Sequence, residues 1–204
     1  MDSSEFPEFF ATAPSIAVRD GLADFLGAAR AGRIEYHYAD AVRLAGHSCP
    51  TVASAWLMAR AALRRLFADE LPRRGEIKVD CRETRDAGVT GVMAAVFTLV
   101  TGAADEGGFR GLGGNFRRRG LLRYGQAIGG EFRLTRLDSG AAVEVSAHPA
   151  CVSGDARMQE LMPLCVAGQA TPQQQELFGQ LWQARVAQIL ARADDPELIE
   201  VKAI

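Results

Sequence analysis

The sequence predicts a single α+β domain, an antiparallel sheet covered by helices, and three features carry that prediction. Apolar stripes at helical spacing recur over residues 52–67, 92–100 and 178–190. Segments 77–81, 131–137 and 142–147 alternate apolar and polar side chains, as half-buried strands do. Asp138-Ser139-Gly140 joins two of those segments as a hairpin turn, which makes them antiparallel neighbours. The 204 residues are 48% hydrophobic and 24% charged, enough to close one large core or a core with an appendage. The expected division is a core over residues 1–150 and a helical extension over 151–204, packed on the core or on a second copy in a homodimer.

In chain order, Ser15 can cap a first helix that buries Val18, Leu22, Phe25, Leu26 and Ala29 and ends at Gly32. Ile34, Tyr36 and Tyr38 alternate with Arg33, Glu35 and His37, an extended segment with His37 on its polar side. A short helix over residues 39–45 leads into Gly46-His47-Ser48-Cys49-Pro50. Proline suits the first position of a helix, where its missing N–H would have no partner anyway, so Cys49 becomes the N-cap of the next helix. That helix buries Val52, Trp56, Ala59, Leu63, Leu66 and Phe67, and Pro72 and Gly75 mark its exit. In the following strand Ile77, Val79 and Cys81 share one face, Lys78 and Asp80 the other.

A charged loop over residues 82–88 precedes a helix with Val92, Met93, Val96, Phe97 and Val100 on its buried face. The stretch from Gly102 to Gly114 holds six glycines. A phosphate-binding glycine loop lies between a strand and the helix it opens. This one follows a helix and precedes a strand, so its glycines serve tight turns or close backbone approach. Segment 116–124 is predicted as a further strand of the meander. Met158, Leu161, Met162 and Cys165 share a helical face that Pro163 should break or bend. Thr171-Pro172 opens a last helix burying Phe178, Leu181, Trp182, Val186, Ile189 and Leu190, and residues 194–204 are expected to be a tail.

A net charge of −2 gives no global field to recruit nucleic acid or a membrane surface. No apolar run approaches the ~20 residues that span a bilayer. Asp2, Glu5 and Glu8 stand where a secretory leader would be basic, and the expected compartment is the cytoplasm. The four cysteines, Cys49, Cys81, Cys151 and Cys165, are there expected as thiols or metal ligands rather than disulfides.

His47 and Cys49 at a helix start and Cys81 at a strand end form a mixed nitrogen and sulfur set. Such a set suits zinc or another divalent transition metal, with a position open for water or a small ligand. Asp80 and Asp86 lie close in sequence to Cys81 and can orient such ligands or act as a base. His148 and Cys151 form a second, sparser pair. A thiol nucleophile at Cys49 with His47 as base ranks below metal binding, because residues two apart in a turn seldom align thiol and imidazole on a substrate. Arg110, Arg117, Arg118, Arg119 and Arg123 have no acid between them and can hold an anion or meet an acidic partner, unless they are simply a solvated face.

Gly46-His47-Ser48-Cys49-Pro50, followed by an alanine-rich helix, resembles the Gly-His-x-Cys-Pro-Gly motif of the FmdE-like family of formylmethanofuran dehydrogenase subunits. Later landmarks agree in order over residues 42–145: Cys81, Asp86-Ala87, the Val92 helix, Thr101-Gly102 and Gly113-Gly114-Asn115. The chain departs from the family at Ala45, where a further His is usual, at Thr51, which replaces the motif's second glycine, and in having no C-terminal zinc finger. The resemblance implies an α+β core, a homodimer, and a site built from His47, Cys49 and Cys81. It does not imply the dehydrogenase reaction, which belongs to other subunits carrying a molybdenum or tungsten pterin. What remains is a metal-binding protein, or an accessory module that holds an anionic, pterin-like ligand or a redox-enzyme partner.

Overall fold

The computed structural model describes residues 5–204. The fold is one α+β domain with two mixed sheets. After a short helix α1 (Phe9–Thr12) come β1 (Ile16–Asp20), α2 (Gly21–Phe25), β2 (Arg33–Tyr36), α3 (Tyr38–Ala45), α4 (Pro50–Phe67), β3 (Arg73–Arg74) and β4 (Ile77–Cys81). There follow α5 (Thr90–Thr101), β5 (Leu122–Arg123), β6 (Phe132–Arg136), β7 (Ala142–Ala147), α6 (Arg157–Val166), α7 (Pro172–Ala191) and β8 (Ile199–Ala203). The small sheet has the order β2-β1-β3 and the large one β5-β4-β6-β7-β8.

The antiparallel arrangement expected for residues 77–81, 131–137 and 142–147 is present as β4-β6-β7; β8 extends it beyond β7, and β5 runs parallel to β4 at the other edge. The Asp138-Ser139-Gly140 turn closes the β6–β7 hairpin, with Gly140 at φ +75°. Register is reinforced by Arg133, which lies opposite Glu144 and donates from Nη2 at 2.6 Å.

Helix α4 is the centre of the core. It packs against α5, α7, β7 and β8. The single apolar stripe predicted for it becomes burial all round from Val52 to Ala59, which its alanines permit by letting neighbours close in. Helix α5 reaches the large sheet through Phe97, whose ring stacks on Phe132 at 4.3 Å between centroids.

Four elements differ from the sequence reading. Residues 15–32 do not form one helix: Ile16 and Val18 alternate inward as β1, and Asp20 then caps the short α2 by accepting from Leu22 and Ala23 N–H. The long strand expected over 116–124 shrinks to Leu122–Arg123, because Phe116 and Gly120 take positive φ and turn the chain away. Pro163 does not break α6, since the carbonyl it leaves without a donor belongs to Gln159, on the exposed face. Residues 199–203 are not a tail; they form β8 on the open edge of β7. No helix of the described residues is long and apolar enough to cross a membrane.

Candidate functional site

The Gly46–Pro50 turn is built from both ends of the chain. Gly46 ends α3 in the left-handed conformation, φ +75°, with its N–H on Val42 O. His47 is exposed, and its Nδ1 lies 3.0 Å from Ala45 O. The Ser48 hydroxyl meets the Tyr38 hydroxyl at 3.0 Å. Cys49 caps α4 as the motif predicts, its Sγ accepting from Val52 N–H at 3.5 Å. Helix α7 closes the turn from the other side: Trp182 Nε1 and Gln183 Nε2 both donate to Ser48 O, at 3.0 and 3.1 Å. Gln183 Oε1 is buried there without a partner among the described residues, as is Ser54 Oγ on α4.

His47, Cys49 and Cys81 are the three metal donors that the sequence leads one to expect at one site. Among the described residues, no three His, Cys, Asp or Glu side chains lie close enough together to hold a metal ion. Cys81 is fully buried at the end of β4, and burial, followed by the charge of Asp80, pushes its thiol up to about 12. Within this chain alone His47, Cys49 and Cys81 are not assembled into a three-ligand site. Asp80 is also buried, between Arg123 Nε at 2.7 Å and Lys78 Nζ at 3.2 Å. Asp86 is exposed and accepts from the Thr84 hydroxyl at 2.8 Å, which holds its carboxyl below the usual range. His148 and Cys151 are both exposed.

The arginine stretch divides. Arg118 turns inward and donates from Nη2 to Asp20 Oδ1 at 2.7 Å, while Arg74 takes Asp20 Oδ2 at 2.7 Å. A Cβ on Gly75 would coincide with Arg118 Nη1, so glycine at φ +88° is what admits that guanidinium. Arg117 donates from Nε to the carbonyl of Arg119 at 2.9 Å. Arg110, Arg117 and Arg119 have no carboxylate partner among the described residues. Arg123 is the member that borders a cavity. It gives only Nε to Asp80, and neither of its Nη nitrogens has a partner among the described residues.

That cavity is a cleft of about 760 Å³ between the start of the glycine-rich loop and β5. A second cleft, of about 330 Å³, adjoins it and extends across α5 to Leu44, two residues before the motif. The two share Arg85, Asp105, Leu122 and Tyr124, so they form one groove. Arg85 Nη1 and Asp105 Oδ2 are 3.0 Å apart at its waist. The Tyr124 hydroxyl has no hydrogen-bond partner among the described residues. Burial, helped by the charges of Cys81 and Asp105 and opposed by that of Arg85, raises its pKa, so it stays a protonated donor. Glu106 stands on the rim. Arg85, Asp105 and Tyr124 carry no signal in the sequence: they fall in segments 82–124 that read as charged loop, glycine turn and strand, and only folding brings them together.

The chain is thus a single α+β domain that carries a His-x-Cys-Pro turn and an open polar groove. The model of the FmdE family, described as molybdenum formylmethanofuran dehydrogenase operon, matches residues 44–199, and the chain belongs to that family. The match includes the motif turn, the groove and α7. No curated protein matches the chain.

Proposed function

We propose that this FmdE-family protein is a non-catalytic accessory module that holds a small, flat, anionic ligand of pterin type in the groove between the glycine-rich loop, β5 and α5. The observation that carries the reading is the pair of open donors there, the Nη nitrogens of Arg123 and the hydroxyl of Tyr124. The guanidinium pairs with an oxyanion in a charge-assisted bond, and the phenol donates to a ring carbonyl or nitrogen. Leu122 and Leu44 supply apolar walls. Asp105 is committed to Arg85 and to Gly107 N–H, so it does not repel an anion as a free carboxylate would. Glu106 does oppose one, and sets how tightly the groove binds.

Titration with pterin-6-carboxylate tests this. Saturable binding is expected, weakened about tenfold in Arg123→Met, the worth of one charge-assisted hydrogen bond. Glu106→Gln should tighten it. Absence of saturable binding, or an affinity unmoved by Arg123→Met, would contradict the reading.

A metal held by His47, Cys49 and Cys81 is the second reading. The His-Ser-Cys-Pro motif inside the family match favours it. Its test is metal content: stoichiometric zinc in the purified protein, lost in Cys49→Ser, would establish it, and sub-stoichiometric metal would end it.

A further inference from the structure

We propose that a second cleft, between the 3-10 turn Pro149–Cys151 and helices α6 and α7, is a binding site for a small apolar monocarboxylate. The cleft measures about 440 Å³, within the range of about 300–1,000 Å³ usual for small-ligand pockets. Val152, Met158, Met162 and Trp182 form its apolar walls, and Ser153 and Gln159 add polar side chains. It shares no lining residue with the groove described above.

The argument turns on Arg185. This half-buried guanidinium lines the cleft and donates from Nε to Val152 O at 3.0 Å and from Nη2 to Pro149 O at 3.1 Å. Carbonyl oxygens satisfy its N–H groups but do not neutralise its charge. No carboxylate among the described residues pairs with it, and its Nη1 makes no hydrogen bond. The one carboxylate on the cleft wall, Asp155, is chelated by Arg157 Nε and Nη2 at 2.9 and 2.8 Å. A half-buried cation beside apolar walls, with no carboxylate of its own, is open to a ligand that supplies the negative charge.

Gly154 supports the assignment. A Cβ there would stand 3.1 Å from Met158 Sδ and 3.2 Å from Arg185 Cδ, so the absence of a side chain at Gly154 leaves room for both groups at the wall. One unpaired charge and walls mainly of methionine, valine and tryptophan match a single carboxylate on an apolar body. A phosphate monoester would bring two charges to a single arginine.

The chain has two tryptophans, and Trp56 is fully buried in the core, so ligand-dependent emission reports Trp182. Phenylacetate should change that emission saturably, and phenylacetamide, the neutral counterpart, should bind about tenfold more weakly. By calorimetry, Arg185→Met should lose the preference for carboxylate over amide. Ala150→Trp, at an exposed lining position, should abolish phenylacetate binding without lowering the melting temperature. Arg123→Met should leave phenylacetate binding unchanged, which separates this site from the groove. No saturable response, equal affinity for acid and amide, or binding that survives Ala150→Trp would overturn the proposal.

Discussion

At the scale of single residues, Asp20 ties together parts of the chain that sequence keeps far apart. Its carboxylate meets Arg74, 54 positions on, and Arg118, 98 positions on, and also caps α2. Burial acts to raise its pKa, but the Arg74 hydrogen bond, the Ala23 N–H and the two guanidinium charges outweigh it and leave the carboxyl below its ordinary value. Asp20→Ala would strand two cations, one of them buried, and should cost about 3–5 kcal/mol in a urea titration. Because the folded pKa lies below the unfolded one, this contribution is present above about pH 4 and is lost as pH falls below it. Wild-type stability should therefore fall more steeply than that of Asp20→Asn in that window; parallel profiles would refute the triad. The cysteines give a second check. Cys151 is exposed, Cys165 half-buried, and Cys49 and Cys81 buried. A thiol reagent should modify Cys151 first and Cys165 next, and reach Cys49 and Cys81 only after denaturation. The role of Cys49 as helix cap is legible in the sequence because proline beside it announces a helix start. The role of Asp20 is not, because neither arginine is near it in sequence.

At the scale of elements, the C-terminal extension clamps the motif. Trp182 and Gln183 of α7 converge on one carbonyl, that of Ser48. Trp182→Phe keeps an aromatic side chain but removes a donor, which should cost about 1 kcal/mol and speed amide exchange around residues 46–52 severalfold. Exchange unchanged in that segment would show that α7 does not hold the turn. Elements with a clean period are readable: β4 and β7 from alternation, α4 and α7 from caps and stripes. Residues 16–26 mislead because Val18, Leu22 and Phe25 happen to fall at helical spacing, although Phe25 ends 67% exposed. β8 escapes the sequence reading because five residues near the chain end alternate too briefly to stand out.

At the scale of the whole molecule, the family resemblance is legible in the motif and its landmarks, and the match over residues 44–199 agrees with it. The groove is legible only in part. Arg123 is visible as a cation, but its value depends on Asp80 taking only Nε, on Tyr124 standing beside it, and on the chain reversing through Gly107 and Gly120 to form the facing wall. These are consequences of sheet edge and loop geometry that no local period encodes. The same geometry gives ligand binding in the groove a direct spectroscopic readout. Amide chemical-shift mapping of the full chain during titration with pterin-6-carboxylate should show perturbations gathered at residues 85, 105–107 and 120–124, with the walls of the α6–α7 cleft silent. Shifts absent from those residues, or centred on Gly46–Pro50 instead, would contradict the account.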